Sequence, residues 1–200
     1  SNTNKKTIQQ PIVCQYSSIG SLSAKWIQDI ANSWNVLALS DDSPKSASSS
    51  SSSHIMKLVY PTNDEIRESV EGYLGGGSVP GYRKNVCKAF LLPLYHKWSA
   101  MMADSKSQKK KNSLHKPNNV PHIKTYYQVT EDEMSLEWFC LTSHNLSKAA
   151  WGEKIMANEG RRIFTRHWEL GVFVAPQLYG DNYKLVPAGE DDAEEKKLLY

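Results

Sequence analysis

Residues 123–129 and 136–142 are two runs rich in β-branched and aromatic residues, and they flank the polar turn Glu131-Asp132-Glu133. That pattern predicts an antiparallel hairpin. A lone hairpin is marginal in water, so its apolar face needs a cover. The rest of the chain supplies one. Strands are predicted at 12–15, 56–60 and 168–175, and helices at 22–34, 62–73 and 85–102. Ser21 is the expected N-cap of the first helix. Thr62 and Glu65 form a capping box for the second, and Gly75-Gly76-Gly77 ends it. Alternating helices and strands predict an α/β sandwich.

Two stretches fall outside this pattern. Residues 41–54 carry a serine run, and residues 103–121 are rich in Lys, Ser and Asn. Both read as loops inserted into one domain spanning 1–200. A tail at 189–197 is acidic. The net charge of +3 is slight, so total charge does not argue for a nucleic-acid partner. The basic segment 106–124 is a local patch that either attracts an anionic polymer or is a solvated loop. Cys14, Cys87 and Cys140 are odd in number and fit neither a zinc pattern nor a disulfide framework. They suggest a reducing, intracellular setting, with Cys140 in the core. No segment is long and apolar enough to cross a membrane.

The chemistry gathers around the hairpin. His122 and Lys124 are two apart, so on a strand both face one side while Ile123 packs on the other. A neighbouring ammonium disfavours a second positive charge on the imidazole, whereas bound phosphate favours it. Such a His can exchange a proton during phosphoryl chemistry. Counting outward from the turn places His122 opposite about Thr142, which brings Ser143 to Asn145 alongside. The Asn145 amide can donate to a phosphate oxygen without adding charge. The segment Leu146-Ser147-Lys148-Ala149-Ala150 adds a hydroxyl, an ammonium and, if it opens a helix, an anion-favouring N-terminus. Each piece alone is also what a surface strand, a turn or a solvated lysine looks like.

Together, His122-Ile123-Lys124-Thr125-Tyr126 and Thr142-Ser143-His144-Asn145-Leu146-Ser147-Lys148-Ala149-Ala150-Trp151-Gly152 resemble the second catalytic motif of the tyrosyl-DNA phosphodiesterases, a branch of the phospholipase D superfamily. The superfamily at large has Asp four residues after the Lys. Here that position is Gln128, and the later Asn145 matches the branch. His144 stands where the pattern has Ala. Tyr16 to Leu22, Glu71 to Tyr73, Gly76 to Pro80, His96 to Ala100 and Glu169 to Val172 follow in family order. The likeness spans roughly 15–176.

The resemblance implies a phospholipase-D-like α/β/α sandwich with a mixed central sheet, one lobe of a pseudo-twofold, two-lobed enzyme. It implies hydrolysis of the bond between a topoisomerase I tyrosine and a DNA 3′ end, leaving a 3′-phosphate, in DNA repair in the nucleus. No metal or cofactor is implied. His122 would be the general acid/base, Lys124 and Asn145 would bind phosphoryl oxygens, and Glu169 would orient a nucleophilic His in an amino-terminal lobe. Ser18, Ser21, Gly77, Ser78, Ser147, Lys148 and Ala149 would hold DNA. Of the remaining histidines, His54, His96, His115, His144 and His167, none begins a second His-x-Lys. The chain is therefore expected to be inactive alone. The alternative is a module that binds single-stranded DNA without turnover. A phospholipase-D-type hydrolase of another kind is disfavoured by Gln128.

Overall fold

The computed structural model describes residues 10–35, 56–98, 119–157, 160–180 and 183–186. The two inserted stretches, apart from 119–121, and the acidic tail lie outside the described residues.

A six-stranded mixed sheet forms the centre. Its strands in chain order are β1 (Ile12–Gln15), β2 (Met56–Val59), β3 (Tyr95–His96), β4 (Lys124–Val129), β5 (Leu136–Thr142) and β8 (Gly171–Val174). Spatially they run β3-β2-β1-β4-β5-β8. β1, β2 and β3 are parallel, while β4, β5 and β8 alternate in direction. All four residues of β1 are buried, as expected of a central strand covered on both faces. A separate two-stranded ribbon, β6 (Glu153–Ala157) with β7 (Gly160–Phe164), connects β5 to β8. Its strands were not predicted, because short mixed runs of charged and apolar residues carry no clear period.

The parallel pair β1–β2 needs a crossover, and helix α1 (Ala24–Trp34) provides it. Trp26, Ile27, Ile30 and Ala31 are buried at helical spacing. They join Ile12, Cys14, Leu58, Tyr126 and Trp138 in one core cluster. The Trp34 ring meets Tyr126, Trp138 and Trp151 edge-on at 5.3, 6.4 and 4.6 Å between centroids. The Trp26 indole donates to the Gly152 carbonyl at 2.8 Å. Cys140 is half-buried against this cluster.

Local boundaries differ from the sequence expectation in four places. The N-cap of α1 is Ser23, whose hydroxyl accepts from the Trp26 amide at 3.2 Å. Ser21 is instead an acceptor for the Lys88 ammonium, at 3.2 Å. The Thr62–Glu65 capping box is present, but its helix α2 (Asn63–Arg67) is short. A 3₁₀ segment, Gly72–Ser78, follows and runs through the three glycines. Where the helix expected at 85–102 is described, to residue 98, the chain instead forms a short helix α3 (Arg83–Val86), a 3₁₀ turn Leu92–Leu94 and strand β3, and 99–102 lie outside the described residues. Pro93 inside that turn lacks the amide that a continuing helix needs. β8 is shorter than the run expected at 168–175.

Thr142 packs directly on the Gly171 backbone. A Cβ at 171 would lie 2.6 Å from both Cβ and Oγ1 of Thr142 and 3.0 Å from the Leu141 carbonyl oxygen. Those atoms sit in a paired strand and cannot yield cheaply. Gly171→Ala is therefore expected to destabilise the fold by about 1–3 kcal/mol, read as a lowered urea midpoint with an unchanged slope.

Candidate active site

Strand direction gathers the chemistry at one end of the sheet. β1 and β5 finish there, whereas β4 and β8 begin there. The chain segments carrying Ser17–Ser18, His122–Lys124, Ser143–Asn145 and Glu169 consequently meet. The Gly72–Ser78 turn leaves from the same end of β2.

The register differs from the outward count by two residues. Lys124, not His122, pairs with Thr142. One residue of this difference is a β-bulge between Gln128 and Val129, and the other lies in the turn itself, where Val129 pairs with Leu136 instead of Ser135. His122 is exposed and just precedes β4. Ile123 is 50% exposed, so it does not pack inward as expected. Its carbonyl accepts from the Gln15 amide at 2.5 Å.

His122 and Lys124 nevertheless stand together. The buried Lys124 ammonium donates to the His122 carbonyl at 2.5 Å and lies 3.4 Å from both ring nitrogens. Whichever nitrogen is unprotonated therefore faces a donor. Burial pulls Lys124 below the ordinary lysine range, and the nearby Glu169 carboxylate opposes that pull.

Asn145 is fixed in one orientation by elementary donor logic. Its Oδ1 accepts from the backbone amides of Ser17 and Ser18 at 3.1 and 2.9 Å, and lies 3.1 Å from the Ser17 hydroxyl. Backbone amides only donate, so the amide oxygen must face them and the NH₂ must point away. No acceptor among the described residues takes those NH₂ protons. The Gly20 amide donates to the Leu146 carbonyl at 3.0 Å, which staples the same two segments again.

Glu169 is held by the Ser143 hydroxyl at 2.5 Å and lies 3.5 Å from His167 Nδ1. Thr142-Ser143-His144-Asn145 thus carries a pairing partner of Lys124, a ligand of Glu169 and the fixed amide. His144 also adjoins the site: burial lowers its pKa from the ordinary value, and Glu169 opposes the shift.

Of the residues expected to hold DNA, Ser21, Ser147, Lys148 and Ala149 line one groove of about 270 Å³ with Gly20, Glu153, Phe164 and Arg166. Ser18 adjoins Asn145, and Gly77 and Ser78 are exposed on the 3₁₀ segment. Helix α4 (Lys148–Trp151) has only four residues. Ser147 caps it, accepting from the Ala150 amide at 3.2 Å, so the expected anion-favouring terminus is little more than a turn. Lys148 is not free either, since it pairs with Glu153 at 2.9 Å. Glu153 and Arg166 escaped the sequence reading because the β6–β7 ribbon that places them did. Arg166 stacks over the Phe164 ring at 5.7 Å, and its backbone amide donates to the Ala149 carbonyl at 2.9 Å.

The sequence model of the family described as tyrosyl-DNA phosphodiesterase matches residues 1–198. The chain is 33% identical to tyrosyl-DNA phosphodiesterase 1 of Arabidopsis thaliana over 84% of its own length and 24% of that protein's. It is 37% identical to tyrosyl-DNA phosphodiesterase 1 of Drosophila melanogaster over 71% of its own length and 22% of that protein's. The chain thus spans about a quarter of these curated relatives. The crystal structure of a yeast tyrosyl-DNA phosphodiesterase superposes with a TM-score of 0.54 at 20% identity, covering 90% of this chain and 42% of that one. That likeness shows the fold, a phospholipase-D-like α/β arrangement with a mixed sheet.

Substitutions at Asn145, Glu153 and Lys148 test this geometry. Asn145→Ala leaves the Ser17 and Ser18 amides without an acceptor, and a loss of about 1–3 kcal/mol in urea unfolding is expected. Asn145→Asp keeps an acceptor oxygen for both backbone amides, so it should remain within about 1 kcal/mol of the parent. Glu153→Gln releases Lys148. Affinity for a single-stranded oligonucleotide at low salt should rise by about two- to fivefold, the scale of one exposed ion pair, and the gain should vanish in Lys148→Ala.

Proposed function

The chain belongs to the tyrosyl-DNA phosphodiesterase family, and from that premise we propose that it supplies half of a phosphodiesterase site acting on tyrosine joined to a DNA 3′ end. The observation that carries this reading is the convergence of His122, Lys124 and the fixed Asn145 NH₂ at one end of the sheet. In the proposed reaction a nucleophilic His from the amino-terminal half attacks phosphorus and forms a phosphohistidine. Splitting one displacement into two lowers each barrier. His122 gives its proton to the departing tyrosyl oxygen, then takes one from the water that releases a 3′-phosphate. A phenol of pKa about 10 is a tolerable leaving group, so this acid has modest work to do. General acid catalysis of this kind contributes on the order of 10²–10⁴-fold.

Lys124 and Asn145 hold the phosphoryl oxygens as charge builds on them. One supplies charge and the other a neutral donor, both aligned before reaction. The Lys124 contact to His122 keeps the acid/base and the phosphate-binding group in register. Glu169 faces the nucleophile of the other half and fixes its imidazole. Ser18, Ser21, Gly77, Ser78, Ser147, Lys148 and Ala149 hold the DNA strand through phosphates and sugar, which carries little sequence preference. On this reading the substrate is the remnant of topoisomerase I on a DNA end, and the work is nuclear DNA repair.

An oligonucleotide bearing a 3′-phosphotyrosine tests the assignment. Residues 1–200 alone should bind it in a salt-sensitive way without turnover. The full-length protein should cleave it, and full-length His122→Ala should lose about 10²–10⁴-fold in the tyrosine-release step. Robust cleavage by residues 1–200 alone, abolished by His122→Ala, would place the nucleophile within this chain and overturn the split-site reading. Binding without turnover in every form would leave the DNA-binding module instead.

A further inference from the structure

His144 lies between Ser143 and Asn145 yet has no part in the reaction just described. Its backbone is anchored on both sides, with its amide donating to Thr142 Oγ1 at 3.2 Å and its carbonyl accepting the Tyr126 hydroxyl at 2.9 Å. Its ring lies against Trp151, with centroids 4.3 Å apart and planes at 31°. Its Nδ1 is in hydrogen-bond contact with Thr142 Oγ1. Nε2 has no hydrogen-bond partner among the described residues.

The protons at this junction can be placed by counting. A threonine hydroxyl has one proton and two lone pairs. Thr142 Oγ1 lies 3.0 Å from the Leu170 carbonyl oxygen. If its proton went to His144, two oxygens would face each other at that distance with no hydrogen between them. The proton therefore goes to Leu170. One lone pair takes the His144 amide, and the other takes a proton on Nδ1. The Leu170 carbonyl is then filled as well, since it also accepts the Ser143 amide at 2.9 Å, and the Ser143 hydroxyl, 3.3 Å away, gives its one proton to the closer Glu169 carboxylate.

We propose that His144 is a positioning residue: backed by the Trp151 ring, as the Nδ1–H tautomer it clamps Thr142 against the Leu170 carbonyl, and so holds Asn145 and Glu169 at the site. Thr142 is the strand partner of both Lys124 and Gly171. Leu170 follows Glu169 directly, and Asn145 follows His144 directly. One hydroxyl thus links the segments that carry Lys124, Asn145 and Glu169. Burial of His144 favours the neutral ring that the clamp uses.

The inference rests on the proposed function, and its test separates the two. Histidine-labelled full-length protein is examined by nitrogen-15 NMR, which reads the tautomer without substrate. An Nδ1–H signal at His144, absent in His144→Asn, is expected. Steady-state cleavage of the 3′-phosphotyrosyl oligonucleotide is then measured. In His144→Ala, kcat should fall about tenfold, the scale of one hydrogen bond, while KM stays within about twofold. The side-chain amide of His144→Asn can donate to Thr142, so that variant should recover to within about threefold of the parent. An Nε2–H tautomer, an unchanged kcat in His144→Ala, or equal impairment in a fully folded His144→Asn would each overturn the proposal. If the unsubstituted protein shows Nδ1–H but does not cleave, the reaction assigned to the site has failed, and the catalytic consequence of the clamp fails with it.

Discussion

Everything at the candidate site depends on the direction and register of four hydrogen-bonded strands. Because β4 runs against both β1 and β5, and β8 against β5, two strand ends and two strand starts meet on one end of the sheet. Ladder hydrogen bonds fix that meeting to the residue, since a slip of one would turn every side chain to the opposite face. Lys124, Tyr126 and Gln128 share the buried face of β4. Tyr126 and Gln128 serve the core: Tyr126 packs against Trp34 and Trp151, and Gln128 accepts from the Trp138 indole at 3.3 Å. The ammonium at the strand's first position is thereby placed by the same packing that stabilises the sheet.

The polar groups around the site divide into those the fold already uses and those left for a ligand. Asn145 belongs to both sets. Its oxygen closes the β1 exit onto the β5 exit, while its NH₂ has no acceptor among the described residues. Ser147 and Lys148 look equally available in the sequence, yet the first caps α4 and the second pairs with Glu153. A phosphate reaching Lys148 would have to displace the Lys148–Glu153 contact, whereas among the described residues nothing competes for the Asn145 NH₂. Preorganisation therefore separates groups of similar chemistry: a donor already fixed and unoccupied costs little reorganisation when charge develops beside it.

Much of this was legible in the sequence, and the misses have physical causes. The β4–β5 hairpin was readable from β-branched and aromatic runs around an acidic turn. The pairing of His122 with Lys124 followed from period-two geometry, even though only Lys124 belongs to the strand. The bulge at Gln128/Val129 was invisible because an extra residue in one strand leaves no compositional mark. The helix expected at 85–102 failed because Phe90, Leu91, Leu94 and Tyr95 have helical spacing but pack as turns and a short strand, where tertiary contact overrides periodicity. The β6–β7 ribbon was missed altogether, and with it Glu153 and Arg166. In the groove, Ser21, Ser147, Lys148 and Ala149 were named from the sequence, while the charges beside them, Glu153 and Arg166, were not.

The proposed division of labour also has a structural logic. A phosphoryl transfer through a covalent intermediate needs a nucleophile and a separate acid on opposite sides of phosphorus, in line. One sheet end presents its side chains from one direction. It can offer donors and an acid/base, the roles proposed for Lys124, Asn145 and His122, but it cannot also attack from the far side. A second lobe facing the first resolves that constraint. In that frame the buried Lys124 and the Glu169 carboxylate have complementary tasks. In the proposed reaction the cation would meet the anionic ester, while the carboxylate, already held by Ser143 at 2.5 Å, would steady an imidazole arriving from the other half. Such an arrangement makes activity a property of the assembled cleft, and makes the folding of each half a condition for the chemistry of the other.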